Sequence, residues 1–461
     1  MVYLDNKFSS PVEPFIERNN YIEQIRHKLT EKELPYCFVT GVGGMGKSEI
    51  VRQYAQNNFR NGNYHIVSWN TYDGVFERLV ANMNMYGLKE SVGNWDKLDI
   101  SKQCDEILEH LKNYNKHTLI IIDNFKFKEL SSNNRKRAEK IFNFFTKERT
   151  GNFKTHVIFT TREEKETKER IIKIQSLNEP NTVKLFELNF KTIQPGFSDS
   201  VKTLVGNLFN HPLGIILTAK LSQTRTNNDK DIKTVIDSIS ETICITTKNF
   251  NKERDKIAID KDHKDAYLNK LPYEHVKRLF DLSDISSKIE EKYIIINLSI
   301  LPPSGIPRNM FEKFIGFSNE SRRKKHGFDV VSPKKIKKFL YDPNNSGIID
   351  ELVRRNWITI TKDNNTKEEL VYCHPLIADV IFDELKPNLS ESKLPPSKSM
   401  FTFLLTGLVR LLFIHQGENC SYLGESLSFA NYSKSKAANR SPPDHRISHS
   451  QCRGAPQRCP V

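Results

Sequence analysis

The sequence contains few cysteines and no long apolar run, and these two absences exclude several classes of protein. Of the seven cysteines, four precede residue 395 and none has the spacing of zinc ligands, so neither a zinc site nor a disulfide framework is predicted. The first residues, MVYLDNKFSSPVEP, lack the apolar core of a signal peptide. The apolar stretch 401–414 is interrupted by Arg410 and is too short to span a bilayer comfortably. We therefore expect a cytoplasmic (intracellular) protein with no membrane partner.

Positive charge is abundant in this chain, but it is not concentrated. The formal net charge is +14, yet lysine and asparagine are spread along most of the 461 residues, and diffuse charge is weak support for a nucleic-acid partner. An apolar share of 37% and a charged share of 27% fit a soluble globular protein. The length predicts about three domains, each able to bury its own core.

The most informative stretch is 41–48, GVGGMGKS, because it fits the phosphate-binding loop pattern G-x-x-x-x-G-K-[ST]. A short apolar segment at 36–40 predicts a strand before the loop, and apolar residues at helical spacing after it predict a helix. Strand, loop and helix in that order direct backbone N–H groups and the positive end of a helix dipole at one spot, where phosphate oxygens can bind. The alternative is a glycine-rich turn that fits by chance; the flanking strand and helix favour a nucleotide site.

Within this loop, we expect Lys47 to neutralise the charge of the β- and γ-phosphates and the Ser48 hydroxyl to ligate Mg²⁺. Asp123 ends an apolar strand predicted at 118–124, where a second Mg²⁺ ligand of a phosphate-loop NTPase belongs, although a polar strand end is the ordinary alternative. The predicted cofactors are therefore ATP or ADP with Mg²⁺. The residues expected to bind the nucleotide in this part of the chain are Gly41, Val42, Gly43, Gly44, Met45, Gly46, Lys47, Ser48 and Glu49.

Further apolar segments at 65–69 and 156–162 predict two more strands, separated by helical stretches. Strands that alternate with helices indicate a parallel sheet covered on both faces. The fold class predicted for the first part of the chain is therefore a three-layer α/β P-loop NTPase domain.

Strand patterns fade after about residue 176, and helical patterns continue to about residue 290. Further helices, predicted at 293–301, 310–315 and 348–355, precede an apparent hairpin at 357–372, which suggests a winged helix. After about Pro395 the composition changes to serine, proline, arginine and three cysteines, which predicts disorder and also fits a read-through or misjoined end of the coding sequence. We expect these parts: an N-terminal lead at 1–35, a nucleotide-binding domain at 36–175, a helical domain at 176–285, a winged-helix domain at 286–390 and a disordered C-terminal tail at 391–461.

Several segments between residues 13 and 385 follow one another in a family-specific order. They are Pro14–Arg18, the phosphate loop, Leu119–Asn124, Phe159–Arg162, Ile174–Leu177 with Val183–Phe186, Asn210–Leu213, Ile296–Pro302 and Cys373–Leu376. In this order they resemble the NB-ARC module of the STAND signal-transduction ATPases, the class that includes apoptosome scaffolds and innate-immune receptors. One such motif could be an accident, but a series in register is specific.

The resemblance implies roles for four residues outside the phosphate loop. Arg18 would border the adenine, Pro212 would pack against the base, and His374 would reach the β-phosphate of ADP. Arg162, at a strand end beside the loop, could sense a γ-phosphate through charge-assisted hydrogen bonds. Ordinary alternatives stay open, since proline suits the first turn of a helix, a lone histidine is often a core or surface residue, and an arginine is often a solvated charge. The expected catalytic set is Lys47, Asp123 and Arg162.

Some positions depart from the family pattern. Asn124 replaces the second acid that many members carry, and an amide cannot accept a proton from an attacking water as a carboxylate can. Hydrolysis is therefore expected to be slow, or to use another base such as Glu163. Cys373 and Pro375 replace the outer residues of the Met-His-Asp triplet, so only the histidine carries over.

The leading hypothesis is a molecular switch governed by ADP and ATP, a slow ATPase that controls conformational change and self-association, or binding of a protein signalling partner, in signalling or defence. Too few residues precede 13 for an effector domain, and no leucine-rich, WD or tetratricopeptide period follows residue 390, so we expect a switch without the usual sensor or output.

Two other functions compete with the switch. The alternative is an ATP-regulated DNA-binding transcription regulator, because winged helices often bind DNA and basic residues gather at 322–325 and 334–338. Such runs are more often solvated faces, so nucleic acid is the less favoured partner. A metabolic phosphotransferase is the third hypothesis, and the sequence contains no recognisable acceptor-binding motif for it.

Overall fold

The computed structural model of the chain describes most residues between 15 and 390. The described residues are 3–4, 15–16, 18–72, 75–81, 83, 88, 92, 94–127, 135–146, 154–164, 167–190, 198–226, 231–256, 270–285, 289–299, 301, 305–312, 347–362 and 368–390. Among the helices in these ranges, none combines the length and the apolar character needed to cross a membrane.

A parallel sheet forms the first part of the described chain. Its six strands lie in the order β1-β3-β4-β5-β2-β6, and every neighbouring pair is parallel. The predicted strands are confirmed with small shifts at their ends, because pairing with β4 extends β3 as far as Thr71. The strand bounds are β1 Tyr3–Leu4, β2 Tyr36–Thr40, β3 Ile66–Thr71, β4 Thr118–Phe125, β5 Thr155–Thr161 and β6 Ile171–Lys173.

Helices cover both faces of this sheet, which confirms the predicted parallel sheet in a P-loop NTPase-like arrangement. Successive residues of β4 alternate between the two faces: Leu119 and Ile121 pack with α1 and α2, while Ile120 and Ile122 pack with α3, α4 and α5. The helices are α1 Asn19–Arg26, continued by one π-helical turn at His27–Glu31, α2 Lys47–Arg60, α3 Phe76–Ala81, α4 Ile100–Asn113 and α5 Arg135–Thr146.

The second part of the chain is mainly helical and ends in a small antiparallel sheet. The order of the three strands in this sheet is β7-β9-β8, and β8 and β9 form the predicted hairpin. Its elements are α6 Glu179–Asn189, α7 Ser198–Asn207, α8 Pro212–Thr226, α9 Ile232–Lys256, α10 Leu271–Leu282, α11 Ile289–Ser299, β7 Ile306–Pro307, α12 Ile348–Arg354, β8 Thr359–Lys362, β9 Glu369–Tyr372 and α13 Pro375–Ser390.

One apolar core runs through this whole second part, from Leu177 to Ile381. It crosses the boundary predicted near residue 285 without interruption. A buried ion pair reinforces the crossing, since Arg355 after α12 donates to Glu291 of α11 at 2.6 Å and also to the carbonyl of Ser283. Removing one partner of such a pair costs about 3–5 kcal/mol because the other charge stays buried. The helices and the small sheet therefore pack as one body.

Some of the sequence predictions lie outside the described residues. These are Pro14 and Glu17 of the N-terminal motif, residues 313–315 of a predicted helix, Pro302, the basic runs 322–325 and 334–338, the hairpin turn at 363–367 and the tail at 391–461.

Candidate functional site

The phosphate loop connects the carboxyl end of β2 to the first turn of α2, as the sequence predicts. Gly46 has a φ of +87° immediately before the helix, and Gly44 has a φ of +81°. Residues with a Cβ rarely adopt these left-handed values, so glycine allows the loop to turn sharply. Because α2 begins at Lys47, the N–H groups of its first turn lie at the end of the loop, where an anion is favoured.

The Lys47 ammonium lies inside the loop. Its Nζ donates to the carbonyl oxygens of Gly41 at 2.8 Å and Val42 at 2.9 Å. Burial, together with the positive charge of Arg162, lowers the pKa of Lys47 to about 7. A phosphate placed beside this amine would stabilise its charged form, so the electrostatics favour an anionic ligand.

Ser48, Asp123 and Thr160 form a hydrogen-bonded group at the end of the loop. The Ser48 hydroxyl donates to Asp123 Oδ1 at 2.7 Å, and the Thr160 hydroxyl donates to the same oxygen at 2.5 Å. A hydroxyl and a carboxylate are hard oxygen donors of the kind that Mg²⁺ prefers. The two residues predicted as Mg²⁺ ligands are thus in contact, and their chemistry fits the ion.

Asn124 explains how Asp123 reaches this position. It has a φ of +60°, and the register between β4 and β5 shifts between Ile122 and Phe125. Such a bulge redirects side chains at the end of a strand. The Asn124 N–H donates to the Thr160 hydroxyl at 2.9 Å, which fixes the threonine that in turn contacts Asp123.

Arg162 follows the end of β5 and lies against the loop. A Cβ built on Gly43 would be 3.2 Å from Arg162 Cζ, so the guanidinium occupies the space beside that glycine. On its other side, Arg162 Nη1 donates to Asp379 Oδ2 of α13 at 3.2 Å. The arginine is therefore not only a solvated charge, because it connects the phosphate loop with the last described helix. Glu163, the other base considered, donates its backbone N–H to Thr161 Oγ1 at 3.1 Å.

His374 stands just before α13 and shares this environment. Its Nδ1 accepts a hydrogen bond from the Leu376 N–H at 3.1 Å. Burial, together with the charges of Arg162 and Lys47, lowers the pKa of His374 to about 3. The histidine is therefore neutral in the folded protein, and the start of α13 faces the loop.

The loop is also held from the side of α8. His211 is buried, its Nε2 donates to the Gly43 carbonyl at 2.7 Å, and its Nδ1 accepts from the Gly214 N–H at 3.2 Å. The Leu213 N–H bonds the Gly44 carbonyl at 3.3 Å. A Cβ on Gly44 would lie 2.7 Å from His211 Cε1, so only glycine fits beneath the ring. This segment clamps the middle of the loop.

Pro212 is the first residue of α8, which fits the ordinary alternative for a proline at a helix start. Its packing against a nucleotide base stays a prediction. The buried Arg18 donates to the carbonyl oxygens of Met45 at 2.8 Å and Gln175 at 3.0 Å. Its guanidinium thus braces the loop against the end of the first domain. Glu49 pairs with Arg52, whose guanidinium lies 4.6 Å from the centre of the Trp69 ring.

Sequence reasoning missed three residues that take part in this site. His211 lay inside the Asn-His-Pro-Leu motif, but only the proline of that motif was given a role. Thr160 was read as part of a strand, and its hydroxyl at the strand end was the available signal. No pattern in the sequence indicated Asp379 as a site residue, because it lies 217 residues from Arg162 in the chain and only the fold brings the two together.

Comparison with known proteins supports the NB-ARC resemblance. Residues 18–192 match the family model of the NB-ARC domain. That span includes the phosphate loop, Asp123 and Arg162, so the predicted resemblance is confirmed for this part of the chain. A search of curated proteins finds no match.

Several solved structures match the chain at low identity. A STAND protein with a tetratricopeptide repeat sensor from Pyrococcus horikoshii is 15% identical, with a TM-score of 0.48; the alignment covers 94% of this chain and 50% of that one. A Walker-type ATPase of Pyrococcus abyssi is 12% identical, with 81% and 98% covered and a TM-score of 0.36. The ORC2 protein of Aeropyrum pernix, in ADPNP–ADP complexes, is 10% identical, with 83% and 97% covered and a TM-score of 0.38. The chain thus spans half the length of the STAND protein.

Proposed function

We propose, starting from the NB-ARC match over residues 18–192, that this protein is a molecular switch that binds ADP or ATP with Mg²⁺ and changes conformation with the bound nucleotide. The observation that carries the proposal is the convergence of two separate parts of the chain on one phosphate loop. The first part of the chain supplies Lys47 and Ser48 from α2 and Asp123 from β4, and the second part supplies His211 and Asp379. A site built this way can couple phosphate binding to the position of the second part.

Each charged group has a role that follows from its position. Lys47 would exchange its two carbonyl partners for phosphate oxygens, and its ammonium would neutralise their charge. Ser48 and Asp123 would hold Mg²⁺, which when bound neutralises phosphate charge and orients the β- and γ-phosphates. Lys47, Asp123 and Arg162 are the proposed catalytic set.

The second part of the chain is the proposed moving element. In the compact arrangement described here, His374 lies beside Arg162 and Lys47, where it could reach the β-phosphate of ADP. We assign α11, α12, α13 and the small sheet to a winged-helix domain and α6 to α10 to a helical domain, with the boundaries predicted above. This arrangement corresponds to a closed, ADP-type state, and the γ-phosphate of ATP would favour an open form.

Turnover would reset the switch rather than make a product. Asn124 occupies the position of a second acid, and its backbone N–H is used to hold Thr160. Without a carboxylate to activate water, ATP hydrolysis is expected to be slow. We further propose that the open form associates with itself or binds a protein signalling partner. The switch would act in signalling or defence within the cytoplasm.

The experiment is to denature the purified protein and identify any released nucleotide by chromatography. Stoichiometric ADP in the wild type and none in Lys47→Ala is the expected result. A wild type that carries no nucleotide, and that binds neither ADP nor ATP on titration with Mg²⁺, would overturn the proposal. Lys97→Ala, a lysine substitution in the 3₁₀ turn Trp95–Lys97, is the matched control and should keep the nucleotide.

A further inference from the structure

The ion pair between Arg162 and Asp379 lies next to the phosphate loop. Arg162 Nη1 and Asp379 Oδ2 are 3.2 Å apart, and the side chains are 40% and 20% exposed, respectively. The same guanidinium occupies the space beside Gly43 of the loop. Asp379 thus places a carboxylate beside Arg162, the proposed γ-phosphate sensor, at the side of the loop.

We infer that Asp379 determines the nucleotide specificity of this site, because its carboxylate engages Arg162 in place of a γ-phosphate and so favours ADP over ATP. The inference rests on the proposed function and deepens it. ADP leaves the Arg162–Asp379 pair intact. ATP brings a further negative group to the same guanidinium, so Asp379 must withdraw, and α13 with it.

The physical argument is one of competition and like-charge repulsion. A guanidinium forms its strongest hydrogen bonds with carboxylates and phosphates, so both anions compete for the same donors. Lys47 and His374 lie near this pair, since the charge of Arg162 acts on both side chains and the charge of Asp379 acts on His374. Two anions near one arginine repel each other, and a ligand shifts a conformational equilibrium only by its difference in affinity for the two states.

The position of Asp379 in the helix makes this role available. Pro375 begins α13 and offers no acid at the third position of the Cys373–Pro375 triplet. Asp379 lies four residues later, on the same face of the helix as Pro375. Helical side chains lean toward the N-terminus of their helix, so the Asp379 carboxylate lies toward the start of α13, where it meets Arg162.

The test uses the full chain freed of nucleotide, and measures the dissociation constants of ADP and ATP with Mg²⁺ by titration. Asp379→Asn keeps the shape and removes the charge, and the affinity ratio of ATP to ADP should rise about tenfold, within the range usual for coupled sites. Asp379→Ser should raise the ratio in the same way, and Asp379→Glu should keep it near the wild-type value. Asp383→Asn is the matched control, because this carboxylate on the same helix accepts from the Tyr273 hydroxyl at 3.0 Å instead; its ratio should not change.

The ratio separates specificity from stability, because a merely structural role would change the two affinities together. Binding of both nucleotides with a ratio that neither neutral variant alters would overturn the inference while leaving the proposed function in place. A similar rise of the ATP-to-ADP affinity ratio in the Asp383→Asn control would also overturn the inference. Failure of the wild type to bind either nucleotide would overturn both.

Discussion

Replacing His211 tests whether the second part of the chain holds the phosphate loop in its binding conformation. His211→Leu removes the donor of the 2.7 Å bond to the Gly43 carbonyl, which is buried. A buried carbonyl left without that partner costs about 1–3 kcal/mol. If the loop relaxes to satisfy this oxygen, affinity for a ligand of the loop falls by about 5- to 150-fold, since 1.4 kcal/mol corresponds to a factor of ten.

The assay compares ADP with AMP, because the loop binds the β-phosphate that only ADP carries. The loss should be larger for ADP than for AMP. His211→Gln should restore much of the affinity, since its amide N–H can donate to the same carbonyl. His275→Leu is the matched control: His275 is also buried, bonds Thr247 Oγ1 through Nε2 at 2.8 Å, and has its pKa lowered to about 4 by burial, as does His211. Equal losses for ADP and AMP, or an equal effect of His275→Leu, would refute the reasoning.

Three further predictions concern the lysine and the buried histidines. Lys47→Ala should abolish binding of both nucleotides, because the charge inside the loop is lost; a titration with unchanged affinity would exclude the site. His374→Ala should speed ADP release in a stopped-flow displacement assay, and an unaltered off-rate would remove this residue from the nucleotide site. Stability should fall as the pH falls from 6.5 toward 4, because burial lowers the pKa of His211 and His275 to about 4 and the unfolded chain then binds more protons. The loss at pH 5 is about 2 kcal/mol per imidazole, and denaturant midpoints at pH 7.5 and 5 that do not differ would contradict it.

Local patterns were enough to predict the first half of the site. The phosphate loop, β2 and the start of α2 are encoded within a short stretch, because the loop needs glycines and the strand needs consecutive apolar residues. The end of β4 was predicted one residue short, since the bulge at Asn124 lets pairing resume at Phe125. A left-handed residue after an aspartate carries no clear signal in the sequence.

The contacts that close the site could not be predicted from periodicity. His211 and Gly43 are separated by 168 positions, and Arg162 and Asp379 by 217. Each depends on how the second part packs against the first, which depends on the sum of many apolar contacts rather than on a motif. The same holds for the apolar core that continues across residue 285, because it joins side chains of α6 to α13 that are far apart in the sequence.

The change from one core to the other is abrupt, and this has a mechanical consequence. Ile174 belongs to the core of the sheet and Leu177 to the core of the second part, while Ile16 packs with the second core and Ile22 with the first. The backbone therefore passes between the two bodies twice, once between Ile16 and Ile22 and once between Ile174 and Leu177. Arg18, at the first crossing, donates a hydrogen bond to the carbonyl of Gln175, at the second. Because the second body has one continuous apolar core, we expect it to rotate as a single unit about these two crossings, close to Arg18.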